Sequence, residues 1–238
     1  MRQPDHRRLT PALAAGGASV VTYWLPSVAL VSRRARLALG IRATISAADA
    51  VALTFDDGPH PEATPAVLEL LARHELQATF FLVGEQVERR PELARRIAAA
   101  GHEVAVHCHR HRNLMRLAPA QVRADVDRAA AAIEEATGTA PRRYRPPYGI
   151  VTLPALRLAQ ARGWETVLWT RHGADWAAAA TPESIAARLL GDAAGGDILL
   201  LHDSDAYSTR DSWRRTVAAL PLVLDRLDAL GLRVAPLD

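Results

Sequence analysis

The chain has 238 residues, and 49% of them are apolar, which is enough to bury the core of one large domain. It contains no lysine, so its 29 basic residues are all arginine, and with 26 acidic residues the net charge is +3. Residues 1–50 hold seven arginines against two aspartates, giving +5, whereas residues 51–238 hold 22 arginines against 24 acids, giving −2. Because this near-neutral part lacks a basic face with interleaved aromatic residues, we expect no nucleic-acid partner.

An uncharged segment, residues 9–32, lies between two groups of arginines at positions 7–8 and 33–36. Such a segment is typical of a signal anchor or signal peptide, and contact of residues 9–32 with a membrane would place the protein at the cell envelope. Proline and glycine interrupt the segment, however, and positive charge on both flanks gives no orientation. The alternative is a short helix that closes the bottom of the domain in a cytoplasmic protein. We assign residues 1–48 as an N-terminal apolar and basic leader.

The remainder, residues 49–238, alternates short apolar runs with helical segments. Thr64-Pro65 and Thr181-Pro182 each place an N-cap residue before a proline, which is typical of a helix start. Strands separated by helices pair in parallel, and about seven such units favour a (β/α) barrel over an open doubly wound sheet, although periodicity alone leaves both open. Seven runs are predicted as strands: 51–55, 78–83, 102–107, 142–145, 164–169, 197–202 and 232–235.

The first of these strands stops at two adjacent carboxylates, Asp56 and Asp57, which precede Gly58-Pro59. An aspartate pair before Gly-Pro is often only a turn or a helix cap. Several later strands also end in residues that bind metals or transfer protons. This coincidence favours a functional interpretation of the pair.

The third strand ends in His107, and His111 follows four residues later. Two neutral imidazoles at this spacing can bind one metal ion, and an aspartate from another strand end would complete a set of three ligands. A solvated histidine-rich loop is the alternative. His109 falls between the two candidate ligands, and we expect it to point away.

Two further strand ends carry polar side chains. Residues 144–149 contain Pro146 and Pro147, which stiffen a loop able to hold the Arg145 guanidinium and a backbone N–H in place. His202 ends the strand 197–202, where a lone histidine is more often structural. Because barrel enzymes place their sites at the carboxyl ends of the strands, polar residues at several such ends indicate an active site.

Together the motifs TFDDGP, H-x-x-x-H preceded by GHEV, RPPYG, a DW segment and LLH, in this order over about residues 50–203, resemble those of the polysaccharide deacetylase family, carbohydrate esterase family 4. The resemblance implies an α/β fold, a distorted (β/α) barrel of about seven parallel strands in a single domain. It also implies metal-dependent removal of N-acetyl or O-acetyl groups from an acetylated glycan. The cofactor would be one divalent ion, with zinc favoured and cobalt or another divalent ion as alternatives.

The resemblance also implies a role for each matching residue. Seven would take part in the reaction: Asp56 as general base, Asp57, His107 and His111 as metal ligands, Arg145 orienting Asp56, His202 as acid, and the backbone N–H of Tyr148 as oxyanion donor. Four would contact the substrate: Pro147, Trp169, Asp175 and Trp176. Tyr207 lies in the polar loop after the last motif, where it could stack on a sugar ring. Core packing for Trp169 and helix capping for Tyr207 are equally good interpretations.

The sequence departs from the family pattern at two positions. Cys108, the single cysteine, replaces a serine or threonine and is interpreted as a small buried filler in preference to a metal ligand. His172 replaces an aspartate that is expected to orient the catalytic histidine. Either Asp175 or Asp203 then takes over this role for His202, or the acid is weaker.

Two other functions stay open at this stage. The chain could hydrolyse the C–N bond of a small non-sugar amide or imide, or it could be a metal-binding pseudo-enzyme that lost its histidine tether at position 172. Retention of the acids, histidines and arginine of the motifs argues against the pseudo-enzyme.

Overall fold

The structure is a computed structural model that describes residues 25–237. Within this range it contains eight α-helices, nine strands and three short 3-10 helices, Leu25–Leu30, Leu114–Arg116 and Pro147–Gly149. The strands are β1 Ile41–Arg42, β2 Ala50–Asp56, β3 Thr79–Val83, β4 Glu103–Cys108, β5 Arg143–Tyr144, β6 Glu165–Val167, β7 Arg171–His172, β8 Ile198–His202 and β9 Arg233–Val234. The helices are α1 Arg33–Ala38, α2 Ala63–Arg73, α3 Gly84–Arg89, α4 Pro91–Ala99, α5 Pro119–Thr137, α6 Leu153–Ala161, α7 Pro182–Leu190 and α8 Ser212–Ala229.

The strands pair in parallel in the order β1-β6-β5-β4-β3-β2-β8-β7, and β9 pairs with the amino end of β2. Only residues 168–170 separate β6 from β7, so one stretch of chain pairs with β1 and β5 at one end of this order and with β8 at the other. The sheet therefore curves round on itself. The prediction of a single-domain α/β fold with a distorted (β/α) barrel is confirmed.

All seven predicted strands are present, but β1 and β7 were not predicted. Each of these two has only two residues, as β5 and β9 do, and neither lies within a predicted run. The predicted strand 164–169 also ends earlier, at Val167, before the chain crosses to β8.

Strand β2 shows how the sequence directs residues to the site. Val51, Leu53 and Phe55 pack in the main apolar core, whereas Ala50 and Ala52 belong to a second cluster with small side chains. Because side chains alternate between the faces of a strand, Thr54 and Asp56 lie on the same face as these alanines. The small residues leave room above them for the polar group at the end of the strand.

The described part of the leader lies against the loop that follows β5. Ala29 is fully buried, and the hydroxyl of Ser27 donates a hydrogen bond of 2.9 Å to the carbonyl oxygen of Val151. Val31 is 85% exposed. Residues 9–24 of the predicted apolar segment lie outside the described residues. Between residues 25 and 237, no helix has the length and apolar character needed to cross a membrane.

Candidate active site

A pocket of about 300 Å³ lies at the carboxyl ends of the strands. Nine of the twelve predicted site residues line it. The other three, Arg145, Pro147 and Asp175, are buried outside its lining. The lining residues are Asp56, Asp57, His107, His111, Tyr148, Trp169, Trp176, Leu200, His202, Tyr207 and Ser208.

Asp56 forms a buried ion pair with Arg145. Nη1 of Arg145 donates to Oδ1 of Asp56 at 2.7 Å and to the hydroxyl of Thr54 at 2.9 Å. The guanidinium is fully buried and lies 3.9 Å from the ring centre of Phe81. Burial raises the pKa of Asp56, while the charges of Arg145 and His202 oppose that rise. The arginine thus fixes the carboxylate in orientation and partly compensates its loss of hydration.

Asp57, His107 and His111 form the group that could hold a metal ion. Oδ1 of Asp57 lies 3.5 Å from Nε2 of His107 and 3.4 Å from Nε2 of His111, and one ligand atom from each residue lies within 4.8 Å of the others. Burial lowers the pKa of both histidines to about 3, so the imidazoles are neutral, the form that binds metals. Burial also raises the pKa of Asp57 to about 7, and its Oδ1 accepts no hydrogen bond within residues 25–237. These residues fit a divalent cation, which would supply the missing positive partner.

The side chains of this group are oriented by backbone features. Asp57 has a positive φ of 78°, which turns the chain out of β2 directly after Asp56. Nδ1 of His107 donates to the carbonyl oxygen of Arg145 at 2.7 Å. Since a carbonyl can only accept, this bond fixes the proton on Nδ1 and leaves Nε2 free as a ligand atom.

Asp125 on helix α5 anchors the loop that carries the histidines, and the sequence analysis missed it. Its carboxylate accepts from the backbone N–H of His109 at 2.7 Å and of Arg110 at 3.3 Å, and from Arg112 at 2.6 Å. The sequence pattern could have identified Asp125, because it is an acid on the otherwise apolar, buried face of an amphipathic helix. The side chains of His109 and Cys108 are both buried outside the three-residue group.

Asp175 holds His202. Its Oδ1 lies 2.9 Å from Nδ1 of His202, and its Oδ2 accepts from the backbone N–H of His202 at 2.7 Å and from the hydroxyl of Thr216 at 2.9 Å. Burial alone would lower the pKa of His202, but the charge and hydrogen bond of Asp175, with Asp57 and Asp56, raise it to about 10. Asp175 therefore lies behind His202 as one of its two predicted partners, and it is not in the pocket lining, where substrate contact was also predicted for it.

Asp203, the other candidate tether, faces a different neighbour. Its carboxylate accepts from the hydroxyl of Thr64, and burial raises its pKa to about 7. A Cβ at position 58 would lie 2.7 Å from Cγ of Asp203, so this close approach requires Gly58.

Aromatic side chains form the wall of the pocket. The ring of Trp176 meets the ring of His202 edge-on, with ring centres 5.3 Å apart. The ring centre of His172 lies 5.0 Å from that of Trp176. His172 thus contacts the wall and is not bonded to His202. Trp169 lines the pocket and also packs against two apolar clusters, so both positions predicted for it are occupied at once.

The fold and the site define a class of protein: a (β/α)-barrel hydrolase whose pocket contains an aspartate and a histidine able to transfer protons, beside a potential metal site. Comparison with known proteins agrees, since the family model described as polysaccharide deacetylase matches residues 45–167. The chain belongs to the polysaccharide deacetylase family, as the motifs predicted, and it is an enzyme of that family.

Three relatives illustrate the similarity. A chitooligosaccharide deacetylase of Bradyrhizobium sp. is 40% identical over 200 residues, which cover 81% of this chain and 91% of the relative. The crystal structure of a peptidoglycan N-acetylglucosamine deacetylase in complex with a substituted N-oxidanyl-benzamide has a TM-score of 0.77 and 30% identity, covering 83% of this chain and 91% of that one. A family 4 carbohydrate esterase from Streptomyces lividans, in complex with acetate, has a TM-score of 0.70 and 30% identity, with coverage of 80% and 93%.

Proposed function

We propose that the protein removes the N-acetyl group from N-acetylglucosamine units of a chitooligosaccharide or of peptidoglycan, in a metal-dependent hydrolysis. The observation that carries the proposal is that one pocket contains Asp57, His107 and His111 together with two groups for proton transfer, Asp56 and His202. The names of the relatives support the substrate class.

Asp57, His107 and His111 would hold one divalent ion. Zinc is favoured because two imidazoles and a carboxylate suit it, and cobalt or another divalent ion is the alternative. Bound there, such an ion would polarise the acetyl carbonyl and lower the pKa of water.

Asp56 acts as the general base: it takes a proton from the water while the water oxygen bonds to the acetyl carbonyl carbon. Arg145 supports this role by holding the carboxylate at 2.7 Å in one orientation. His202 then gives its proton to the nitrogen as the C–N bond breaks, because an amide anion is too basic to leave unprotonated. With a pKa of about 10, His202 carries that proton at neutral pH. The products are acetate and a free amine.

The remaining residues bind the transition state and the substrate. The backbone N–H of Tyr148 is proposed as a donor to the oxyanion. Trp169, Trp176 and Leu200 supply apolar surface for the acetyl methyl group. Tyr148, with its side chain 52% exposed, lies at the mouth where a sugar ring would enter.

The test is acetate release from an N-acetylglucosamine oligomer by metal-stripped protein, with and without added zinc or cobalt. We expect release to return with the metal and to fall by at least about 10²-fold in Asp56→Asn, the usual contribution of a general base. A protein that binds the metal tightly but releases no acetate from chitooligosaccharide or peptidoglycan fragments would contradict the proposal. Activity that is insensitive to metal removal would contradict the metal-dependent mechanism.

We also propose that the leader contacts a membrane at the cell envelope. In its described part Val31, Leu37 and Leu25 are 85%, 65% and 61% exposed, and arginines at positions 33, 34 and 36 lie among them. Exposed apolar side chains beside cationic ones favour the surface of an anionic bilayer.

A further inference from the structure

The two candidate histidine ligands differ in what orients them. His107 is fixed by its hydrogen bond to the carbonyl oxygen of Arg145. Nδ1 of His111 is buried and has no hydrogen-bond partner in another described residue. Metal-binding histidines usually gain their orientation from such a second bond. No hydrogen bond to another described residue therefore orients the ring of His111, and its ring contacts become important.

Two tyrosine rings contact His111. Tyr148 meets it edge-on at 4.5 Å, but its own side chain is half exposed. Tyr207 lies nearly parallel to the imidazole, with ring centres 4.8 Å apart and an angle of 16° between the planes. This stacked contact restricts rotation of the imidazole out of its plane.

Tyr207 is itself fixed at its far end. Its hydroxyl donates to Oε1 of Glu85 at 2.7 Å and accepts from Nε2 of Gln86 at 3.0 Å. Glu85 and Gln86 lie in the first turn of helix α3, which follows β3 directly, and Gln86 is buried. The ring is thus held between the start of a helix and the imidazole, although it comes from the loop after β8.

We propose that Tyr207 is a positioning residue for the metal ligand His111: its ring sets the plane of the imidazole, and its hydroxyl bonds to Glu85 and Gln86 set the position of the ring. This inference rests on the proposed metal site. It gives Tyr207 a role that acts through His111, in place of the sugar stacking or helix capping considered from the sequence. Through Tyr207, the loop after β8 thus influences how tightly His111, on the loop after β4, binds the metal.

The experiment measures the affinity of the metal-stripped, full-length protein for Zn²⁺ and Co²⁺ by competition with a chromogenic chelator. Tyr207→Leu removes the stacked ring and should weaken binding by roughly tenfold to 100-fold, the usual effect of losing a group that orients a metal ligand. Tyr207→Phe keeps the ring but loses both hydrogen bonds of the hydroxyl, so it should lose less metal affinity than Tyr207→Leu. Trp164→Leu is the matched control, since Trp164 packs beside Arg162 away from the pocket and its loss should leave metal affinity unchanged.

The thermal unfolding of each metal-free variant is measured in parallel, so that a folding defect is separated from a loss of affinity. If Tyr207→Leu folds poorly, the comparison of Tyr207→Phe with Glu85→Ala, which removes the anchor without touching either ring, still tests the inference. Both should bind the metal more weakly than the wild type. The inference would be overturned if Tyr207→Leu bound the metal as tightly as the wild type, or if both Tyr207→Phe and Glu85→Ala did. It would also be overturned if Tyr207→Phe lost as much metal affinity as Tyr207→Leu. Absence of metal binding by the wild type would instead refute the metal site itself.

Discussion

His202 and Asp175 form a buried pair in which each side chain stabilises the charged form of the other. Burial opposes ionisation of Asp175, but the charge and hydrogen bonds of His202 outweigh it and lower the pKa of Asp175. Burial also opposes protonation of His202, and Asp175 reverses that effect to give a pKa of about 10. The pair therefore stabilises the fold at neutral pH. This stabilisation is lost as the pH rises through about 10 and His202 deprotonates, or as it falls through the low pKa of Asp175.

Asp175→Asn tests this pair through the pH dependence of kcat. Without the carboxylate charge, burial should dominate and lower the pKa of His202, so the alkaline decline of kcat should begin at a lower pH. At neutral pH we expect kcat to fall by about 10²-fold or more, because the acid is then largely unprotonated and poorly oriented. Thr216→Val, which removes one hydrogen bond from Asp175 but leaves its charge, should shift the profile far less. Identical profiles for wild type and Asp175→Asn would exclude Asp175 as the partner of the acid.

At the scale of elements, the loop after β4 depends on helix α5. Asp125 is 5% exposed, and its carboxylate binds two consecutive backbone N–H groups of the loop as well as Arg112. His107 lies near the end of β4, and His111 lies in the loop that follows it. A single buried acid on the helix thus fixes the backbone between the two candidate ligands.

Asp125→Ala should lower the free energy of unfolding by about 2–4 kcal/mol, because it leaves buried N–H groups and a cation without an acceptor. It should also weaken metal binding, since the spacing of the two histidines is no longer fixed. Asp125→Asn retains an acceptor oxygen, so we expect it to lose less stability and less metal affinity than Asp125→Ala. Chemical denaturation and metal titration of the two variants provide the measurement, and equal stability of Asp125→Ala and wild type would contradict the anchoring role.

At the scale of the whole molecule, part of the described leader packs against the loop after β5, which borders the pocket. Leu30 lies against Gly149, the residue after Tyr148, so this part of the described leader lies close to the mouth of the site. Membrane contact through this face would therefore bring the active site close to the bilayer surface.

Cosedimentation of the full-length chain with anionic vesicles tests the membrane proposal. We expect binding that decreases at high salt and that is weakened in Val31→Glu and Leu37→Glu. Both side chains are well exposed, so these changes should alter stability by no more than about 0.5 kcal/mol. Leu230→Glu, at a 47% exposed leucine after α8, is the matched control and should bind as the wild type does. A chain that remains wholly in the supernatant would contradict the membrane proposal.

The sequence by itself determined seven of the nine described strands, the family, and the presence of Asp56, Asp57, His107 and His202 at or next to strand ends. It could do so because each of these features is local: an apolar run of a given length, followed by polar residues of a given type. The strand register then brings Asp56 beside His202, which the sequence separates by more than a hundred residues.

Only the tertiary structure decided which side chains contact one another at the carboxyl ends of the strands. It selected Asp175 over Asp203 as the partner of His202, joined Asp125 to the histidine loop and stacked Tyr207 on His111. It also defined the short strands β1 and β7. The physical reason is that these contacts depend on strand order, register and loop direction, which are set by packing over the whole barrel and leave no periodic pattern in the chain.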